Sequence, residues 1–251
     1  EELSFYYQYA EGFRSPDFYS SNLSFTNFAF RYTIIPNPDL GPEESEGSEF
    51  GFKGETNNAS WSVAIYDNDY KDFIETEMTG FTRTGLMKFV YKNLEDVNIK
   101  GSEIKANFNT SDNLTVQFGL NNSTGEQDGK LLTTIDPDQA IFGLLWNSDD
   151  NKISINTYAR ITDGSPQGLP SVCGRTPPCA AALTLNNHAL FDSFISYSIN
   201  EKLSMRLAVR NITDKKYWNW SDVAGSTADD PGLDYFLNPG RNYSLSFRLV
   251  F

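Results

Sequence analysis

The feature that most constrains this chain is a period of two that keeps returning. Near the C-terminal end, Tyr243, Leu245, Phe247, Leu249 and Phe251 alternate with Ser244, Ser246, Arg248 and Val250. Upstream, Leu203, Met205, Leu207 and Val209 alternate with Ser204, Arg206, Ala208 and Arg210. Ile153, Ile155, Thr157, Ala159 and Ile161 do the same, as do Leu114, Val116, Phe118 and Leu120. Successive side chains of a strand point to opposite faces, so each segment reads as a strand with one apolar and one polar face. Arginines in mid-strand need water or partners on the polar face. A barrel wall with lipid outside and a wet lumen supplies both environments.

The alternation predicts strands at about 2–11, 46–55, 60–71, 96–109, 113–122, 138–147, 151–161, 188–199, 202–213 and 241–251. In the third, Trp61, Val63 and Ile65 alternate until Asp67 breaks the pattern. Short turns (55–59, 110–113, 147–151, 200–202) alternate with long Gly/Pro/Asp-rich loops (12–45, 72–95, 123–137, 162–187, 214–240). Short turns on one rim and long loops on the other are the pattern of outer-membrane barrels. The expected fold is therefore all-β, an antiparallel transmembrane β-barrel. The final Phe251 fits, since such barrels often end on an aromatic residue.

Composition agrees and excludes other classes. The 20 Lys and Arg against 33 Asp and Glu give a net charge of −13, so nucleic acid is not an expected partner. The mean hydropathy of −0.45 would suggest a soluble chain. No apolar run approaches the ~18 residues of a membrane helix; the longest is Ala140–Trp146. Barrel strands hide from such averages because polar and apolar residues alternate. With 14% aromatic residues, disorder is not expected either.

Cys173 and Cys179 are the two cysteines, flanked by Gly and Pro. They read as a small disulfide-closed loop in an oxidising compartment, the alternative being two free thiols. The single histidine, His188, cannot complete a zinc site with them, and no metal site is expected. No signal peptide opens the chain, which starts on a strand-like segment and so reads as processed or as a fragment.

Several segments together resemble the TonB-dependent outer-membrane receptors. They are Glu11-Gly-Phe-Arg-Ser-Pro-Asp-Phe18, Pro36-Asn-Pro-Asp-Leu-Gly-Pro-Glu-Glu-Ser45, Glu49-Phe-Gly-Phe-Lys53 and Asn98-Ile-Lys-Gly-Ser-Glu-Ile104. Asn211-Ile-Thr-Asp-Lys-Lys-Tyr-Trp218 and Asn238-Pro-Gly-Arg241, with the strand after it, look like the family's last two strands. The pairing of Phe13, Arg14 and Pro16 with Asn37, Pro38 and Leu40 is similar to the haem and haemoglobin receptor branch, as is Lys216–Gly225. The resemblance implies a barrel of about 22 strands, of which residues 1–251 would be the C-terminal part. An N-terminal plug and the earlier strands would lie outside this chain. Ten strands alone would close at a radius of roughly 11 Å, against roughly 24 Å for twenty-two.

The resemblance also implies partners: the TonB–ExbB–ExbD system reached through the plug, outer-membrane lipid, and an extracellular haem-carrying protein. Haem would be cargo, with no permanently bound cofactor. In that branch a haem-ligating histidine lies between the two boxes. Here the interval holds none, and Tyr19 and Tyr32 are its candidate iron ligands.

Each candidate site has a plainer reading. Tyr19, Phe25, Phe28, Phe30 and Tyr32 could stack on a flat ligand or pack as the loop's own core. His188 shares parity with Asp192 and faces the lumen, as a haem ligand or as a polar rim residue. Tyr217, Trp218 and Trp220 could contact a ligand or belong to the aromatic girdle at the lipid headgroups. Asp222, Asp229, Asp230 and Asp234 could hold calcium, though without EF-hand spacing, or form a solvated acidic loop. The leading expectation is a non-enzymatic receptor for haem, or else for a ferric siderophore or another bulky nutrient. A ten-stranded omptin-type protease would need His188 in its site, and no Asp lies beside that residue in sequence. A passive pore or adhesin is the third reading.

Overall fold

A computed structural model of the chain describes residues 2–94, 96–127, 129–132, 134–165 and 181–250. In chain order the first half contains β1 (Glu2–Arg14), α1 (Phe18–Asn22), β2 (Phe25–Asn27), β3 (Tyr32–Ile35), β4 (Glu43–Glu55), β5 (Ala59–Lys71), β6 (Phe73–Phe81) and β7 (Met87–Leu94). The second half contains β8 (Val97–Ser111), β9 (Leu114–Gln127), β10 (Lys130–Leu131), β11 (Gln139–Asn147), β12 (Ile153–Thr162), β13 (His188–Ser198) and β14 (Leu203–Arg210). It ends with α2 (Trp220–Val223), a 3₁₀ turn (Leu233–Phe236) and β15 (Asn242–Leu249). None of the described helices is long and apolar enough to cross a membrane.

Ten strands form one antiparallel path in the order β1-β4-β5-β8-β9-β11-β12-β13-β14-β15, with β10 folded back on β9. These are the ten expected from the alternation. Sequential neighbours pair because the turns between them are short: 56–58, 112–113, 148–152 and 199–202 all lie at one end. The long connections 15–42, 72–96, 128–138, 163–187 and 211–241 all lie at the other.

Register turns the sequence pattern into a continuous surface. One row across the sheet runs Phe5, Phe52, Val63, Ile104, Leu120, Ala140 and Ile161. On the last strands Ile195, Leu207 and Leu245 continue an apolar row. Much of this face has no cover: Phe5 is 65% exposed, Leu245 56% and Phe247, on the same face of β15, 62%. A water-soluble protein does not leave an apolar belt of this extent uncovered. Lipid is the solvent that matches it. The opposite face carries Ser62, Lys105 and Gln117, with Gly47, Gly51 and Gly101 among them.

The strand expected at 60–71 is present as β5, and Asp67 interrupts its alternation without ending it. Asp67 and Asp69 keep the parity of Ile65 on a strand that outruns the apolar belt, and the Asn98 amide donates to both, at 2.6 and 3.0 Å. β14 stops at Arg210, short of 213, because Asn211 turns the chain with a φ of 51°.

The long connections contain a second sheet that the alternation did not announce. Its order is β2-β3-β7-β6, and β3 pairs with β7 in parallel. It joins the first long loop to the second. At its β6 margin the Ile74 N–H donates to the Glu43 carboxylate (3.0 Å) and the Thr76 N–H to that of Glu75 (2.9 Å). Cys173, Cys179 and Phe251 lie outside the described residues.

Candidate functional site

The long loops at one rim are held at their necks by the motifs read from the sequence. Arg14 and Glu43 face each other where β1 and β4 open into the first loop, and their ion pair spans 2.7 Å. Glu43 is buried and also takes the Ile74 N–H, so one carboxylate ties the first loop to the second. Asn37 donates through its side-chain amide to the Tyr91 carbonyl (2.9 Å) and through its backbone N–H to the Ser20 carbonyl (3.2 Å). Asn93 completes the staple. Its amide donates to the carbonyls of Gly41 (3.0 Å) and Asp72 (2.7 Å), and its oxygen accepts the Gly41 N–H (2.8 Å).

The last loop has a neck of the same kind. Asn211 is buried, and its backbone N–H donates to Asp192 Oδ1 at 2.7 Å. Its amide donates to the carbonyls of Lys215 (2.8 Å) and Pro239 (3.3 Å), while its oxygen accepts the Lys215 N–H (2.8 Å). Asp214 takes the Arg241 N–H at 2.7 Å. The Asn211–Asp214 and Asn238–Arg241 motifs are thus two halves of one latch. Their residue types follow from geometry, since Asn211 and Asp214 both adopt positive φ, which Asn and Asp tolerate better than most residues.

Above the necks the candidate aromatics separate into distinct roles. Asp17 caps α1 by accepting the Ser20 N–H at 2.7 Å, a bond that holds its carboxyl below the usual carboxylate range. Tyr19 on this helix is 47% exposed. Asn27 shapes the β2–β3 tip by accepting the N–H groups of Ala29 and Phe30, both at 3.1 Å. That tip leaves Phe28 79% exposed. Phe30 instead packs on the last loop, with ring centroids 6.0 Å from Tyr235 and 5.4 Å from Phe236. Tyr32 belongs to the second sheet's own aromatic cluster, tilted on Phe25 (6.0 Å) and edge-on to Phe89 (6.1 Å). Tyr19 and Tyr32 therefore differ as candidate iron ligands: Tyr19 is presented outward, and Tyr32 is packed.

Trp218 and Trp220 correct the girdle reading. Trp220 is buried, and Trp218 packs against the cluster of Leu183, Val223 and Leu233 while its indole N–H donates to the Leu233 carbonyl at 2.9 Å. They form the core of the last loop and do not line the lipid boundary. His188 stands at the start of β13 on the polar face, its ring stacked on Tyr217 at 5.2 Å. The last-loop carboxylates serve local turns. Asp229 accepts from the Thr227 hydroxyl (2.6 Å), which keeps its carboxyl low, and Asp230 accepts the Gly232 N–H (2.8 Å). Among the described residues no cluster of three or more His, Cys, Asp or Glu converges as a metal site.

The tying roles of Glu43, Asn93 and Asp192 escaped the sequence reading. Each joins segments far apart in the chain, and no local pattern marks them. What the site presents is a roof of loops over a polar wall, with Tyr19 and Phe28 exposed outward and Phe30 bridging the first and last loops.

An uncovered apolar belt, a polar opposite face and long loops on one rim define a membrane β-barrel wall with a roof of loops. The family model of the TonB dependent receptor-like β-barrel matches residues 1–212, and the chain belongs to this family. A probable hemoglobin and hemoglobin-haptoglobin-binding protein 4 of Haemophilus influenzae is 23% identical over 97% of the chain and 27% of its own length. A hemoglobin-haptoglobin utilization protein B of Neisseria meningitidis serogroup C is 22% identical over 97% of the chain and 35% of its own. Among solved structures, the copper transporter OprC superposes with a TM-score of 0.77 at 18% identity, covering 99% of this chain and 37% of that one. The siderophore receptor PirA from Pseudomonas aeruginosa gives 0.71 at 18% identity, covering 100% and 40%. The chain thus spans between a quarter and two fifths of the proteins it resembles.

Proposed function

We propose that the chain is the C-terminal wall and loop roof of an outer-membrane receptor that takes up an iron-containing ligand, haem first, delivered by a haemoglobin-type carrier. The observation that carries this reading is the joining of an apolar belt to an aromatic-bearing loop roof in a TonB-dependent receptor barrel. Its specificity for haem is supported by the names of the relatives that align over 97% of the chain. In this reading the path from β1 to β15 is an arc of a larger barrel, completed by strands and a plug outside this chain. The TonB–ExbB–ExbD system would act on that plug. Tyr19 and Phe28 are the residues best placed to meet ligand or carrier, because they are exposed above the necks. His188 lies deeper, at the top of the polar wall.

The test is absorbance of the full-length receptor titrated with haem, together with growth of iron-starved cells on haemoglobin. A Soret shift weakened by Tyr19→Phe supports the reading. No shift and no growth would sink haem and leave a ferric siderophore or another bulky nutrient as the cargo to test next.

A further inference from the structure

Several aromatic rings in the wall lie over glycines directly opposite them on the neighbouring strand. Tyr6 on β1 faces Gly51 on β4, and Tyr66 on β5 faces Gly101 on β8. Trp61 with Gly54, and Tyr158 with Gly143, repeat the arrangement. A Cβ added at Gly51 would fall on Cε1 and Cζ of the Tyr6 ring. One added at Gly101 would stand 2.7 Å from Tyr66 Cζ and would also press on the Asn122 carbonyl oxygen. Neither glycine has a positive φ, so the backbone does not call for glycine at these positions. Each supplies a gap that only a residue without a side chain leaves, and the ring across from it fills the gap.

The gaps matter most in these two pairings, because their strands are joined through the long loops 15–42 and 72–96. A tight turn fixes the register of a hairpin, and here there is none. A slip of one residue would carry the apolar belt to the polar face, which lipid forbids. A slip of two keeps every side chain on its own face. It would set Phe5 against Phe50 in place of Phe52, an apolar contact of the same kind. On the polar face the same slip drives the Tyr6 ring onto Glu49, and the opposite slip drives it onto Lys53. For Tyr66 the two slips put Ile99 or Glu103 where Gly101 stands. The glycines thus separate registers that the belt alone accepts equally.

We propose that the Tyr6–Gly51 and Tyr66–Gly101 joints are register keys for assembly of the wall: each admits the native pairing of its strands and rejects the slips by two residues. The keys act on assembly, whatever cargo the receptor carries.

A disulfide needs Cβ atoms about 3.5–4.5 Å apart, so cysteine pairs report register. The full-length receptor with Cys173→Ser and Cys179→Ser is the background. Ser4→Cys with Lys53→Cys reads the native β1–β4 pairing. Ala10→Cys with Ser45→Cys reads one slip, and Ser4→Cys with Glu55→Cys reads the other. Tyr6→Gly should raise the ratio of slipped to native cross-linking by about fivefold, the order of one cross-strand pair. Tyr6→Phe, which keeps the ring and loses only the hydrogen bond to Glu49, should stay native. Tyr6→Gly with Gly51→Tyr rebuilds the joint from the other side and should restore the native ratio. Tyr66→Gly should behave as Tyr6→Gly does, read by Ser62→Cys with Lys105→Cys for the native pairing and with Glu103→Cys or Asn107→Cys for the slips.

Native cross-linking alone in Tyr6→Gly would assign the β1–β4 register to the Arg14–Glu43 pair at the neck and overturn the key. Slipped cross-linking that persists in the exchanged pair would overturn it as well. If Tyr6→Gly gives no heat-modifiable barrel on a gel, recovery of that band by the exchanged pair supports the key, and failure to recover it overturns it.

Discussion

The ring of Phe30 meets the ring of Phe236 at 5.4 Å, centroid to centroid. The first residue belongs to the loop after the first strand of the path, the second to the loop before its last strand. The contact therefore joins segments whose strands lie near opposite margins of the sheet, and its loss should loosen the roof while sparing the wall.

Phe30→Ala should cost about 0.5–1.5 kcal/mol of loop stability beyond lost burial, the range for an aromatic pair. Hydrogen exchange at Tyr235 and Leu237 should accelerate, and the thermal unfolding of the barrel should not move. Unchanged exchange would show that the last loop holds itself without Phe30.

The latch at Asn211 should be the more sensitive neck. Asn211→Ala removes the side-chain bonds to Lys215 and Pro239 and forces alanine into a φ of 51°. Asn211→Gly removes the same bonds without the backbone conflict. Unfolding by urea in vesicles should show both variants destabilised, the alanine form by about 1 kcal/mol more. Equal losses would place the whole effect in the hydrogen bonds.

Adjacent residues on opposite faces separate lipid from lumen. Phe118→Arg should destabilise by about 2–4 kcal/mol if it meets the bilayer midplane and should lower the yield of heat-modifiable barrel on a gel. Gln117→Arg, next in the chain and opposite in face, should lose only the amide bond to Asn107. Equal assembly of the two variants would contradict the assignment of faces.

Acid should fray α1 before it touches the sheets. The Ser20 N–H holds the Asp17 carboxyl below its ordinary range in the folded loop. The stabilisation is present above the unfolded-state value and is lost as pH falls through the lowered folded value. Exchange at Ser20 and Ser21 should rise across that acidic window, and Asp17→Asn, which keeps a capping oxygen, should flatten the dependence. A pH-independent Asp17 protein would mean that the cap contributes nothing to helix stability.

The wall was legible because period two is written residue by residue along Leu203–Val209 and its neighbours. The second sheet was not. β2 is three residues long, β3 four, and the parallel pairing of Tyr32–Ile35 with Met87–Val90 joins distant segments. Trp218 and Trp220 misled because a tryptophan just past a strand end fits a girdle as well as a loop core. Only Leu183, brought in from another loop, decides between them. The boxes around Arg14 and Asn37 were visible as motifs, but their task as necks became clear only with Glu43, Tyr91 and Ser20 in place.

The carboxylates of Glu43 and Glu75 have a consequence beyond their own loops. By occupying the N–H groups of Ile74 and Thr76 they remove, from the β6 margin of the second sheet, the donors a foreign strand would need there. Receptors crowded side by side on a surface would then be kept from zipping their loops together at this edge. Arg14 in turn holds Glu43 in place for that duty.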